Sequence, residues 1–197
     1  MAAVGDISLL AGHAVWRGTS MIVVRSISPQ EGMLYKQLRL GALEDAPDAF
    51  SPTWEEISQH DDNYWINAAN RINADPDFEL LVAERHGAPV GLVSGQVDSK
   101  GVGHIGAMWV APVARSAGVG KRLLESVIDF LWMRKAIEIR LTVTENNANA
   151  AALYRRCGFE FTGRKWPLRA GSTLMNLEMV LKPATLVTET DPASRGR

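Results

Sequence analysis

The sequence carries a single cysteine, Cys157, among 197 residues. An intramolecular disulfide is therefore excluded, and the chain must hold together through an apolar core. One cysteine also fits a reducing compartment. No apolar run approaches the roughly 18 residues that span a bilayer. No basic flank leads into an apolar segment near the N-terminus, so a secretory signal is not expected. Net charge is scarce as well: 21 Lys and Arg stand against 22 Asp and Glu, a formal net charge of -1. Such a balance gives no global field toward nucleic acid or an anionic membrane. Four histidines are scattered without metal-ligand spacing. Neither an internal repeat nor a low-complexity block is present. These absences leave a cytoplasmic protein of one domain, long enough to bury a core without staples.

What is present reads as an α/β domain. Residues 1–20 are rich in Ala and Gly without a sustained period and are expected to form a flexible extension. Residues 183–197 are polar and are expected to be a disordered tail. The domain, 21–182, opens on a β-rich run at 22–27. Ser28-Pro29-Gln30-Glu31 then has the pattern of a capping box with proline at the first helical position, which starts a first helix. Met33, Leu34 and Leu38 give that helix an apolar face, and residues 40–47 lead out of it. A second helix is expected to begin at Ser51-Pro52 or Thr53 and to run through Trp54, Ile57, Tyr64, Trp65 and Ala68, broken around Pro76. Strands at 78–84, 90–97 and 102–110, separated by turns at 86–88 and 98–101, form an antiparallel meander. A long helix over about 117–135 has Val119, Leu123, Leu124, Val127, Ile128 and Leu131 at helical spacing. A strand at 137–143, a short helix at 147–156 stopped by Gly158, and strands at 159–164 and 174–181 complete the domain.

Two glycine clusters ask to be read as ligand sites. Gly101-Val102-Gly103-His104-Ile105-Gly106 has the dinucleotide-binding spacing, but Met108-Trp109-Val110 continues a strand where that motif needs a helix. The first cluster is a glycine-rich turn. The second, Arg115-Ser116-Ala117-Gly118-Val119-Gly120-Lys121, stands between a strand and a long helix. A helix N-terminus exposes unpaired N–H groups and the positive end of the macrodipole. Glycines there remove side chains that would block a ligand, while Arg115 and Lys121 add charge. This is a site for a phosphate or pyrophosphate.

With those residues in view, Met108-Trp109-Val110-Ala111-Pro112 followed by Arg115-x-x-Gly118-x-Gly120 resembles the acyl-CoA-binding motif of the GNAT superfamily of N-acetyltransferases. Leu141 to Asn147, then Ala148 to Tyr154 and Cys157-Gly158-Phe159, resembles that superfamily's second strand–helix motif. The resemblance covers about residues 21–182. It implies a central, mostly antiparallel sheet of six to seven strands with a parallel splayed pair and about four helices. It also implies acetyl-CoA as co-substrate and an amine as acceptor. Backbone groups of Met108, Trp109 and Val110 would pair with the pantetheine amides, in the manner of strand addition. The amides of Ser116, Ala117, Gly118, Val119, Gly120 and Lys121, with the charge of Arg115, would hold the pyrophosphate.

The resemblance also gives Tyr154 the role of general acid, protonating the departing thiolate, with packing of the helix on the sheet as the alternative. Asn147 would cap its helix and reach the cofactor or a water. Some members that acetylate protein N-termini carry a glutamate five residues before this asparagine; Thr142 stands there instead. Glu145, His104, Glu55 and Glu56 are candidates for the base, beside a water chain with no dedicated residue. Trp54, Trp65 and Trp166-Pro167 are either pocket walls or packing, and Cys157 reads as a small apolar residue rather than a nucleophile. The acceptor walls are expected from residues 51–73 and 165–173. A homodimer is left open. The reading is transfer of an acetyl group from acetyl-CoA to a primary amine by direct attack. The competing reading is a non-catalytic acyl-CoA-binding module on the same fold.

Overall fold

A computed structural model describes residues 22–183. The expected extension at 1–20, Met21 and all but the first residue of the expected tail lie outside the described residues. Seven strands form one sheet in the order β1-β2-β3-β4-β5-β7-β6. They are β1 (Ile22–Ser26), β2 (Phe78–Arg85), β3 (Ala88–Val97), β4 (Val102–Val110), β5 (Glu138–Thr144), β6 (Glu160–Pro167) and β7 (Met175–Leu181). Every neighbouring pair is antiparallel except β4 and β5. The helices are α1 (Gly32–Asp45), α2 (Trp54–Ser58), α3 (Asp62–Ala74), α4 (Val119–Met133) and α5 (Ala148–Arg156). Five helices thus stand where about four were expected.

The sheet has a core on each face. On one, α4 buries Val119, Leu123, Leu124, Val127 and Leu131 against Ala83, Val93, Ile139 and Val143, with Tyr154 and Phe159 completing the cluster. This is the helical spacing read in the sequence. On the other face, Leu38, Ala42 and Leu43 of α1 pack with Phe50 on Leu80, Val82 and Leu92. The hairpin between β2 and β3 turns at His86 and Gly87, both with positive φ (54° and 76°), the backbone of a two-residue turn matched to strand twist.

Two helix expectations need correction. The first helix starts at Gly32, not after Ser28. Residues 28–31 close a turn instead, with the Glu31 N–H donating to the Ser28 carbonyl at 3.0 Å. Half of the capping box survives: the Ser28 N–H donates to Glu31 Oε2 at 2.8 Å. Arg25 of β1 holds the same carboxylate at 2.7 Å and also reaches Glu84 of β2. The glutamate therefore ties the turn to the sheet rather than serving as a residue of the first helical turn. At its far end α1 runs on to Asp45, beyond the expected exit. The single second helix is in fact α2 and α3. Thr53 and Glu56 form a reciprocal capping box for α2, and Asp61 accepts from the Tyr64 N–H at 2.9 Å to start α3. Two strong N-caps eight residues apart demand two helices.

Candidate active site

β4 and β5 are paired over only Val102↔Glu138, Gly103↔Ile139 and His104↔Arg140. Beyond these residues β4 keeps β3 as its partner and β5 keeps β7, so the facing edges diverge and leave backbone groups unpaired. A bulge accompanies the divergence. Leu92 stands opposite Trp109 and Ser94 opposite Gly106, so Val93 faces both Ala107 and Met108. Ala107 takes a left-handed φ of 51° to accommodate the extra residue. The splayed pair implied by the resemblance is present.

The gap opens into a cleft of about 770 Å³. Met108, Trp109 and Val110 of β4 form one wall, and Thr142, Val143 and Thr144 of β5 face them. Asn147, Asn149, Ala150, Leu153, Tyr154 and Arg156 contribute from α5 and its start. The loop and first turn of α4 add Arg115, Ser116, Gly118, Gly120 and Lys121. Ala117 and Val119 are not on the wall, and Val119 is turned into the core at 1% exposure. Gly118 is the N-cap of α4 with φ 86°, a conformation that disfavours any side chain. A Cβ placed on Gly120 would meet Leu153, Met108 and Val110 at 3.4–3.7 Å, ordinary contacts, so its bareness matters for the cleft rather than for packing.

Asp45, Arg115 and Lys121 on the cleft wall are each paired. Arg115 Nε donates to the Val110 carbonyl at 3.0 Å, and its Nη2 donates to Asp45 Oδ2. The same carboxylate oxygen accepts from Trp109 Nε1 at 2.8 Å. Lys121 is two-thirds exposed and pairs with Glu125 one turn on, at 3.4 Å. Asn147 caps α5, its Oδ1 accepting from the Ala150 N–H at 3.1 Å. The Tyr154 ring is buried edge-on against Phe159, and burial pushes its phenol up to about 12. Thr144 Oγ1 is buried on the cleft wall without a hydrogen-bond partner. An orphaned hydroxyl of this kind costs about 1–3 kcal/mol.

None of the expected base candidates is brought to the cleft. His104 lies at the paired end of β4 and bonds Asp98 at 2.9 Å. Glu145 accepts from the Met175 N–H, Glu56 caps α2, and Glu55 lies on the same short helix. The residue opposite Thr142 on β7 is Glu178, but its carboxylate is taken by Thr162, Arg140 and Arg164. Trp65 is core, 1% exposed, and neither Trp54 nor Trp166 lines the cleft. Burial pushes the Cys157 thiol up, against a nucleophilic role.

A further wall of the cleft is built by Asp45, Ala46, Ala49 and Phe50, from the end of α1 and the 3-10 turn Pro47–Ala49, and no residue of α2 or α3 lines it. The connection from β6 to β7 acts through that turn: Arg169 donates to the carbonyls of Pro47 and Phe50 at 3.1 and 3.0 Å. Asp45 and Arg169 had no motif to betray them, since their partners are 70 and about 120 residues away in sequence.

A family model described as the acetyltransferase (GNAT) family matches residues 40–159. The chain belongs to the GNAT family. Its curated relatives include an IAA acetyltransferase of Azospirillum brasilense, 36% identical over 91 residues, covering 46% of this chain and 60% of that protein. A peptidyl-lysine N-acetyltransferase of Escherichia coli is 35% identical over 92 residues, covering 45% and 54%. A mycothiol acetyltransferase of Acidothermus cellulolyticus is 28% identical over 142 residues, covering 69% and 43%. The matches thus span about half the length of these relatives. Among solved structures, a GNAT acetyltransferase of Streptococcus pneumoniae superposes with a TM-score of 0.70 at 20% identity, covering 83% of this chain and all of that one. An acetyltransferase of Salmonella typhimurium, solved with acetyl-CoA, superposes with a TM-score of 0.69 at 18% identity, covering 83% and 94%. These likenesses establish the GNAT fold for the described residues.

Proposed function

We propose that the protein is an N-acetyltransferase that moves the acetyl group of acetyl-CoA onto a primary amine by direct attack, within a complex of all three. The observation that carries this reading is the junction of three features in one cleft: the unpaired β4 edge, the bare N-terminus of α4, and the buried phenol of Tyr154. The cleft suits the ligand. Its strand edge accepts an extended chain of amides, the α4 start accepts phosphate oxygens, Gly120 leaves room between them, and Thr144 Oγ1 lacks a partner that a bound chain would supply.

Bound there, acetyl-CoA supplies a thioester. Carbonyl and N–H groups of Met108 to Val110 orient it, and the amides at Ser116 to Lys121 hold its phosphates. Tyr154 keeps its proton through the physiological range and delivers it to the departing sulfur. Asn147 fixes α5, and so the phenol, at the cleft. With no expected base on the wall, the amine loses its proton to water in the cleft.

Relatives named as IAA, mycothiol and peptidyl-lysine acetyltransferases define the acceptor panel rather than the acceptor. The test is release of free thiol from acetyl-CoA with amines drawn from metabolites, antibiotics and peptides. Amine-dependent release above hydrolysis supports the reading. Tight binding of acetyl-CoA with no turnover across the panel overturns it in favour of an acyl-CoA-binding module.

A further inference from the structure

Asp45 is the one carboxylate among the residues lining the cleft. It ends α1, where the negative end of the helix dipole disfavours an acid, so helix stability does not account for it. Its side chain is only 22% exposed and is held by two donors, the Trp109 indole and the Arg115 guanidinium. Arg115 simultaneously covers the Val110 carbonyl. The arginine is therefore attached to the two acceptors that a ternary complex needs free: a strand-edge carbonyl for the pantetheine, and an anion beside the acceptor wall of Ala46, Ala49 and Phe50.

We propose that Asp45 is the charge partner of the incoming ammonium, and that in the ligand-free cleft Arg115 occupies the amine's place. Arrival of a pyrophosphate at the α4 start offers Arg115 more negative charge than one carboxylate does. The guanidinium then exchanges anions, which uncovers the Val110 carbonyl and Asp45 together. Trp109 Nε1 keeps the freed carboxylate oriented. Binding of the cofactor thus builds the amine subsite, and the acceptor that fits is a cationic primary amine. The proposal rests on the acetyl-CoA reading of the cleft.

Coenzyme A binding, followed by titration calorimetry, tests the exchange. In Asp45→Asn the competing anion is gone, and affinity for coenzyme A is expected to rise about three- to fivefold, the size of a half-exposed ion pair. Arg115→Gln is expected to weaken binding, and adding Asp45→Asn to it should then change nothing. Unchanged or weaker binding by Asp45→Asn alone overturns the exchange. Failure of the wild type to bind coenzyme A overturns the acetyl-CoA reading itself, a distinguishable result. For the amine, the probe is n-butylamine and the reporter is the indole N–H resonance of Trp109, assigned with Trp109→Phe. The resonance should shift with n-butylamine only when coenzyme A is present, and not in Asp45→Asn. A shift of equal size without coenzyme A, or none up to 100-fold excess with it, overturns the role of Asp45. A single cooperative melt of Asp45→Asn about 2–4 °C below the wild type, the shift that loss of one such pair requires, shows that the comparison is between folded proteins.

Discussion

Tyr154 and the glycines at the start of α4 do opposite things at the residue scale. In the proposed role the phenol acts by being present and protonated. Because burial raises it to about 12, the neutral, proton-donating form persists until the pH nears that value. No alkaline loss of rate from Tyr154 is therefore expected between pH 8 and 10.5, and turnover should instead rise as the amine deprotonates. Tyr154→Phe should lower kcat by about 100-fold and leave the coenzyme A dissociation constant within about twofold, since the ring contact with Phe159 remains. A pH–rate series on both proteins reads both effects. The glycines act by what they lack. Gly120→Glu should melt close to the wild type, because its Cβ meets only ordinary contacts, yet should lose coenzyme A binding through bulk and charge. Gly118→Ala should instead cost about 1–2 kcal/mol of stability, because its φ of 86° is left-handed. Calorimetry and thermal melts on the pair separate the two.

Elements are joined by a few specific contacts whose strength depends on conditions. The Arg25 guanidinium holds the Glu31 carboxyl down to about 2, helped by the Ser28 N–H. A depressed acid contributes stability above its ordinary value of about 4.3 and loses it as pH falls through the folded value. Glu31→Gln should therefore be less stable by about 1 kcal/mol at pH 7, since the pair is partly exposed and screened. The gap should close as pH falls from about 4.3 through about 2, measured by urea unfolding. Elsewhere, α1 and α3 touch backbone to backbone: a Cβ on Gly32 would lie 2.7 Å from Ile66 Cα. Gly32→Ala should cost about 2 kcal/mol by overpacking, visible in the same unfolding curves. Such contacts mark where the sequence was legible. The apolar spacing of α4 and the apolar runs of the meander, with turns between them, announce themselves locally, and Met108 to Val110, Arg115, Gly118, Gly120, Asn147 and Tyr154 line one cleft. Ser28 to Glu31 was misread because Arg25 competes for the glutamate, a choice made by tertiary pairing. Asp45, Phe50 and Arg169 were missed because their roles exist only once distant turns are folded together.

At the scale of the molecule, the sheet is two halves. β1 to β4 and β5, β7, β6 meet through three residue pairs and the helices above them. A ligand lying along the open edges would bridge both halves. Coenzyme A at 100 times its dissociation constant should therefore stabilise the fold by about 2.7 kcal/mol. Slowed hydrogen exchange should appear at residues 108–110 and 142–144 together. Protection confined to the α4 turn would mean that phosphate binding occurs without strand pairing.

The strand order has one more consequence, in time rather than space. β7, the last of the described strands, lies between β5 and β6, and β6 has no other strand partner among the described residues. Until residues 175–181 have been synthesised, β5 is an edge strand anchored by its short pairing with β4, and β6 has nothing to pair with. Arg169, which holds the Pro47–Ala49 turn beside the cleft, also arrives late. The cofactor half of the cleft is complete in sequence by Arg156, whereas the sheet behind it closes by inserting its final strand. Folding of this half is governed by long-range pairing and belongs to the slow, non-local steps. Its exposed edge is where a nascent or destabilised chain is open to unwanted strand pairing.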